Sequence, residues 1–130
     1  MLFEEDLTFL IREACYAVHS HLGSGLLESI YEKALIYELQ ERGFKVRSQV
    51  PIEVLYKGKN LGEGFRLDIV VEDTVVIELK SVEKLLPVHH KQLLSYLKLS
   101  SYPIGFLINF NAKSLDGENF KRYVNQEPKL

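Results

Sequence analysis

The chain has 130 residues, of which 46% are hydrophobic and 26% are charged, and its formal net charge is −2. This composition predicts one folded domain over residues 1–130. It excludes a disordered tail, a fibrous repeat and a protein that coats nucleic acid with a uniformly basic surface. The charge is unevenly distributed, since residues 1–43 carry a net −5, residues 44–77 are neutral and residues 78–130 carry a net +3. A local basic surface beside an acidic site is therefore compatible with the sequence.

The sequence carries no sign of a membrane or of an oxidising compartment. No apolar run approaches the length that a bilayer-spanning helix needs. The acidic start, Glu4 to Asp6, lacks the basic region of a signal peptide. A single cysteine, Cys15, cannot form an internal disulfide. We therefore expect a cytoplasmic protein that makes no membrane contact.

Helical periodicity covers the first third of the chain. The spacing of apolar residues predicts a first helix from about Leu7 to Leu22. The segment from Gly23 to Gly25 interrupts the pattern, which resumes as a second helix from about Leu26 to Arg42. Gly43 is a suitable residue to end that helix.

From Phe44 onward the apolar residues alternate with polar ones, which is typical of strands. Three alternating runs, near residues 50–56, 65–71 and 75–80, are separated by turns at 57–60 and 72–74. This pattern predicts an antiparallel meander of three strands. Pro51 cannot donate a backbone hydrogen bond, so we expect the first strand to lie at the edge of the sheet.

The rest of the chain predicts a helix followed by a buried strand. Pro87 is suited to the first turn of a third helix, which Ser100 to Pro103 would end. Residues 104–110 are almost all apolar, as in a strand that is buried on both faces. A strand–helix–strand unit within one sheet implies a parallel pair. Only a short element near residues 120–124 follows, and the predicted fold class is α/β (α+β).

Three polar residues interrupt apolar strands of the meander. Asp68 lies within Leu67–Val71, and Glu78 and Lys80 follow Val75–Ile77. Buried polar side chains are costly unless they are paired or bound to a metal. Glu78 and Lys80 are two residues apart, so both point to one face of the strand.

The register of the second hairpin decides whether Asp68 joins them. A two-residue turn would place Asp68 opposite Ile77 and Glu78 on the other face. A three-residue turn, or one bulge, would pair Asp68 with Glu78 and Arg66 with Lys80. We expect the second register because it keeps the apolar side chains together, namely Phe65, Leu67 and Ile69 with Val75, Ile77 and Leu79.

These residues resemble a known nuclease pattern. Asp68 is followed, after nine residues, by Glu78-Leu79-Lys80 on the adjacent strand. This arrangement is similar to the motif of the PD-(D/E)XK nuclease superfamily, although Leu67 stands where that motif has proline.

Two further motifs strengthen the resemblance. Gln92 and Tyr96 on the third helix are similar to the QxxxY motif of the RecB-type and lambda-exonuclease-like branch. Gly25, Glu28 and Tyr31 match the signature that names the GxxExxY protein family. Together the motifs extend the resemblance over most of the chain, from about residue 7 to residue 110.

The resemblance implies a restriction-endonuclease-like core and a metal-dependent nuclease that acts on nucleic acid, DNA in preference to RNA. The implied cofactor is Mg²⁺ or Mn²⁺, which prefer oxygen ligands. The implied metal ligands are Asp68, Glu78, the backbone carbonyl of Leu79, and Glu28.

The other implied site residues assist the reaction. Lys80 would orient or deprotonate the attacking water, or neutralise charge on the phosphate. Gln92 and Tyr96 are four residues apart, so one helical face would present both to the site or to the nucleic-acid backbone.

Simpler explanations exist for each candidate. Asp68 and Glu78 could form structural ion pairs with Arg66 and Lys80 on exposed strands. Glu28 could be an exposed first-turn glutamate that the helix dipole favours. Other residues with an ordinary explanation are Gln92 and Tyr96 as amphipathic surface, Tyr31 as core packing, and His89 and His90 as solvated surface.

Three functions are compatible with these residues. The first is a metal-dependent DNA nuclease, and the second is a nuclease-fold accessory module that binds DNA or a protein partner with little or no catalysis. The third is a phosphodiesterase for RNA or a small nucleotide. No phosphate-binding loop is present, and His19 and His21 lack further zinc ligands at suitable spacing. The sequence is also compatible with a homodimer.

Overall fold

The computed structural model describes residues 4–125, which form three α-helices, a short 3-10 helix and five strands. The helices are α1 (Glu4–Leu22), α2 (Glu28–Glu41) and α3 (Pro87–Ser100), with the 3-10 helix at Gly117–Asn119. The strands are β1 (Val46–Tyr56), β2 (Lys59–Val71), β3 (Val75–Lys80), β4 (Ile104–Asn109) and β5 (Phe120–Val124).

The five strands form one mixed sheet in the order β1-β2-β3-β4-β5. The pairs β1–β2, β2–β3 and β4–β5 are antiparallel, whereas β3 and β4 are parallel and are joined through α3. This confirms the predicted fold class, with its meander, its crossover helix and its two N-terminal helices. β1, which contains Pro51, lies at the edge of the sheet as expected.

The sheet is covered by helices on both faces. α1 and α2 pack their apolar stripes on one face, around Ile69, Ile77 and Phe106. α3 packs on the other face through Leu93 and Leu97. None of the helices within residues 4–125 has the length and apolar character needed to cross a membrane.

The predicted register of the β2–β3 hairpin is confirmed next to the turn. A three-residue turn, with positive φ at Glu72 and Asp73, brings Val71 opposite Val75 and Ile69 opposite Ile77. The ladder ends at that last pair, one residue before Asp68.

The expected pairing of Arg66 with Lys80 is wrong, because β2 separates from β3 at this point. Arg66 lies opposite Pro51 in β1 and forms an ion pair with Glu63. The apolar set also divides, since Phe65 and Leu67 pack on the α3 side with Val50, whereas Ile69 packs under α1 and α2.

Beyond this separation, β1 and β2 continue as a two-stranded ribbon, which we define as residues 52–65. A two-residue turn joins its strands, with positive φ at Lys57 and Gly58. At its base, the ring of Phe65 stacks on Tyr96 of α3, with 4.1 Å between ring centroids.

Candidate active site

Two carboxylates occupy the gap where β2 and β3 separate. The backbone N–H of Asp68 donates to Oε1 of Glu78 at 3.1 Å, and the backbone N–H of Leu79 donates to Oδ2 of Asp68 at 2.9 Å. Each carboxylate thus accepts a hydrogen bond from the neighbouring strand, in place of the backbone ladder. We call Asp68 and Glu78 the acid pair.

Glu78 is buried and Asp68 is half-buried, so the acid pair carries an electrostatic cost. Glu78 is only 6% exposed, and burial together with the charge of Asp68 raises its pKa to about 8. Burial also raises the pKa of Asp68, against the opposing effects of the Leu79 N–H and Lys80. Two such acids side by side favour either a bound proton or a bound cation.

Lys80 lies among the carboxylates without pairing with any of them. Its charge lowers the pKa values of Asp68, Glu78 and Glu28, which places its ammonium group near all three. Within residues 4–125 it forms no ion pair, and Arg66 is engaged elsewhere. The alternative of structural ion pairs between the acid pair and these two cations is therefore not what the structure contains.

Glu28 approaches the acid pair from the first turn of α2. Its side chain is half-buried rather than fully exposed, and burial raises its pKa. The charges of Lys80 and Asp68 act on it in opposite directions, so Glu28 faces the same site. The structure thus brings together four of the predicted residues, from α2, β2 and β3.

Tyr31 shapes the loop that precedes Glu28. Its ring is fully buried and stacks on Phe110, with 5.0 Å between centroids, which confirms the expected core packing. Its hydroxyl donates to the carbonyl of Gly23 at 2.6 Å and accepts from the N–H of Leu26 at 3.2 Å. A phenol in the core therefore holds the loop in one conformation.

The same loop is tied to the ends of β3 and β4. Ser81 Oγ donates to the Leu26 carbonyl at 2.6 Å, and the N–H of Gly25 donates to Oδ1 of Asn111 at 3.0 Å. Asn111 also donates to the carbonyl of Val82 at 3.1 Å. These bonds explain the spacing of Gly25 and Tyr31 around Glu28, because they place the start of α2 beside Lys80.

The α3 candidates differ in their placement. Tyr96 is half-buried and stacks on Phe65, three residues before Asp68 in β2, and its pKa is raised by burial and by the charges of Glu78 and Asp68. Gln92 is exposed and forms no side-chain hydrogen bond within residues 4–125.

Sequence reasoning missed Gln49 and Glu32. Gln49 lies in β1 between the residues that pair with Ile69 and Leu67, which places it beside Asp68, and a hydrogen bond from it lowers the pKa of Asp68. Its Nε2 also donates to both oxygens of Glu32, at 3.1 and 3.2 Å. Glu32 follows Glu28 by one helical turn, a spacing that could have indicated it, whereas Gln49 carries no sequence signal.

His89 is another residue near the site that was expected to be ordinary surface. It is half-buried, and its Nδ1 accepts the backbone N–H of Leu86 at 2.9 Å at the start of α3. Burial and the charge of Lys80 lower its pKa.

The ligand types at the acid pair fit the Mg²⁺ or Mn²⁺ that the resemblance implies. N–H and C=O groups of one strand residue point the same way, so the Leu79 carbonyl shares the direction of its N–H, toward Asp68. Within residues 4–125, no three His, Cys, Asp or Glu side chains form a ready metal cage. Mg²⁺ commonly uses only one or two carboxylates and keeps several waters.

A comparison with protein families agrees with this geometry. A sequence model described as the PD-(D/E)XK nuclease superfamily matches residues 5–123, which include all five strands up to Tyr123. No curated protein and no solved structure gives a significant match. Because the family model covers nearly all of the chain, from α1 to β5, the chain belongs to the PD-(D/E)XK nuclease superfamily.

Proposed function

We propose that this chain is a divalent-metal-dependent nuclease that hydrolyses phosphodiester bonds in DNA. The observation that carries the proposal is the acid pair, in which a buried and a half-buried carboxylate each accept a hydrogen bond from an N–H group of the other's strand. Burial without a cation raises the pKa of Glu78 to about 8. The negative charges of Asp68 and Glu78 repel each other and are poorly solvated, and a divalent cation bound between them would neutralise these charges.

The proposed cofactor is Mg²⁺ or Mn²⁺. When bound, such an ion would screen the phosphate and make a water molecule more acidic. Asp68, Glu78 and the Leu79 carbonyl are the proposed ligands, and Glu28, at the start of α2, is proposed to complete the set through its own oxygen or a water.

Lys80 is proposed to act on the attacking water or on the phosphate. A lysine that forms no ion pair keeps its ammonium protons available for a substrate oxygen. From the α3 side, Tyr96 is proposed to position the scissile phosphate, and Gln92 to contact the nucleic-acid backbone near the entrance.

Within the superfamily, we propose the GxxExxY family and the RecB-type branch as the nearest group. The loop bonds of Gly25 and Tyr31 give two of the signature positions a structural role, and Glu28 is the residue that they position. Tyr96 beside the acid pair supports the QxxxY motif in the same way.

A second candidate function is an accessory module that binds DNA or a protein partner without cutting. The observation in its favour is that no three-residue metal cage exists among residues 4–125. Such a module would bind equally well with and without metal, and it would release no product.

The decisive assay is cleavage of plasmid and linear DNA in Mn²⁺, in Mg²⁺ and in EDTA. The nuclease proposal expects metal-dependent cleavage that falls by about 100-fold or more in Asp68→Asn, Glu78→Gln and Lys80→Gln. Glu83→Gln and Lys84→Gln, which change exposed residues of the following loop, are the matched controls. Cleavage in EDTA, or wild-type rates in Asp68→Asn, would contradict the proposal. The same assay with an RNA substrate at the same salt concentration tests the alternative of a phosphodiesterase that acts on RNA.

A further inference from the structure

The ribbon, residues 52–65, extends beyond the rest of the sheet. β2 pairs with β3 only over residues 69–71, but it pairs with β1 as far as Lys59. Three large apolar side chains stand exposed on this extension, at 64% for Leu55, 59% for Tyr56 and 59% for Leu61. Leu55 and Tyr56 are consecutive in β1, so both faces of the ribbon present apolar side chains to solvent.

The ribbon carries two lysines at its tip and two glutamates further from the tip. Glu63 is paired with Arg66, and Glu53, which keeps its charge, accepts a hydrogen bond from Asn60 at 2.6 Å. Lys57 and Lys59 form no ion pair among the residues that the structure describes. Lys57 lies 5.4 Å from the centroid of the Tyr56 ring, so a cation and an aromatic face are presented together.

The base and the tip of the ribbon disfavour pairing with a second copy of the chain. Just before the ribbon, along β1, Pro51 lacks a backbone donor and Gln49 has a positive φ, and both features block strand addition at that point. At the tip, the lysines of two copies would repel each other, whereas they complement a phosphate backbone.

We propose that the ribbon is an arm that enters the major groove of duplex DNA next to the site of cleavage. This inference rests on the proposed nuclease function and adds the duplex form of the substrate and the surface that holds it. The major groove of B-DNA admits a two-stranded ribbon, whereas the major groove of duplex RNA is too narrow.

The reach of the arm matches this role. The stretch from Lys59 to Asp68 in β2 spans about 30 Å at the rise of an antiparallel strand. That length corresponds to roughly nine base pairs of B-DNA. At the base of the ribbon, Phe65 stacks on Tyr96 and lies three residues before Asp68 in β2, so the arm adjoins the site.

The test compares binding of labelled duplexes of one sequence, as DNA and as RNA, by fluorescence anisotropy in EDTA over a range of salt. The full-length chain is compared with Lys57→Asn/Lys59→Gln. Asn before Gly58 suits the positive φ of the turn, so this variant keeps the ribbon folded. The matched control is Lys33→Gln/Lys98→Gln, which removes two exposed lysines from α2 and α3.

If the ribbon is such an arm, the negative slope of log affinity against log salt concentration for DNA should become shallower by about 1.8 in the ribbon variant, because two phosphate contacts are lost. The slope of the control variant should stay unchanged. It also predicts tighter binding of duplex DNA than of duplex RNA. Equal slopes, or equal binding of DNA and RNA, would overturn the arm while leaving the nuclease proposal standing. Failure of the wild type to bind any duplex in EDTA would also overturn the arm, and the cleavage assay in Mn²⁺ would then test the nuclease proposal separately. A wild-type dimer that the ribbon variant abolishes would assign the ribbon to a second copy instead.

Discussion

Replacing Glu78 by glutamine should stabilise the metal-free protein at alkaline pH and abolish its stabilisation by a divalent cation. Burial and the charge of Asp68 raise the pKa of Glu78 from 4.5 to about 8. The folded state therefore binds this proton more tightly than the unfolded chain does. The resulting stabilisation is fully present below pH 4.5 and is lost as the pH rises toward 8.

The size of the effect follows from the pKa change. One pKa unit corresponds to about 1.4 kcal/mol, so the shift corresponds to a ceiling of roughly 5 kcal/mol above pH 8 and about 3 kcal/mol at pH 7. Glutamine keeps an oxygen that can accept the Asp68 N–H, which now bonds to Glu78 at 3.1 Å, but it carries no charge. Metal-free Glu78→Gln should match the wild type near pH 4.5 and exceed its stability at pH 8.

A bound cation should reduce this difference. A ligand that binds only the folded state at 100 times its dissociation constant adds about 2.7 kcal/mol. Mg²⁺ or Mn²⁺ should therefore stabilise the wild type but not Glu78→Gln.

The assay is urea unfolding at pH 4.5 and at pH 8, in EDTA and in Mg²⁺, with Glu83→Gln as the exposed control. The reasoning fails if Glu78→Gln is no more stable than the wild type at pH 8 in EDTA. It also fails if Mg²⁺ stabilises both proteins equally.

Three further substitutions test the supports of the site. Gly105→Ala places a methyl group 2.9 Å from Leu97 Cδ1, so urea unfolding should show a loss of about 1–3 kcal/mol, and unchanged stability would refute the close approach of α3 to β4. Tyr31→Phe removes the two hydrogen bonds of the Tyr31 hydroxyl, so the free energy of unfolding should fall by about 1–3 kcal/mol in the same assay. Cleavage should also become slower because Glu28 is displaced, and an unaffected cleavage rate would show that the loop does not position Glu28. Gln49→Ala should lower metal-dependent cleavage about 10-fold at an unchanged melting temperature, and wild-type cleavage would exclude it as a positioning residue.

The fold was predictable because local patterns and global packing agree. Alternating apolar residues and a three-residue turn were sufficient to bring Ile69 opposite Ile77. The polar interruptions at Asp68 and Glu78 then indicated a site, since buried carboxylates require partners.

The end of the ladder was not predictable from that alternation. Phe65 and Leu67 continue the two-residue period of Ile69 without a break, yet they pack on the opposite face of the sheet. The change occurs where carboxylates replace backbone hydrogen-bond partners, and a hydrophobic pattern does not encode such a substitution.

The surroundings of the acid pair depend on contacts between distant parts of the chain. The burial of Glu28 relies on a bond between Gly25 and Asn111, which are 86 residues apart in sequence. The placement of Gln49 relies on a positive φ that glutamine rarely adopts, so nothing local indicates it. Periodicity therefore locates the strands that carry the acids, but not the residues that surround them.

The most direct test of the central claim is the anomalous diffraction of crystals soaked in Mn²⁺. The account predicts a manganese peak within coordination distance of the Asp68 and Glu78 carboxylates and of the Leu79 carbonyl, and its absence in crystals of Asp68→Asn. Saturating Mn²⁺ that leaves the gap between the two acids empty, or that binds only elsewhere on the molecule, would contradict the account.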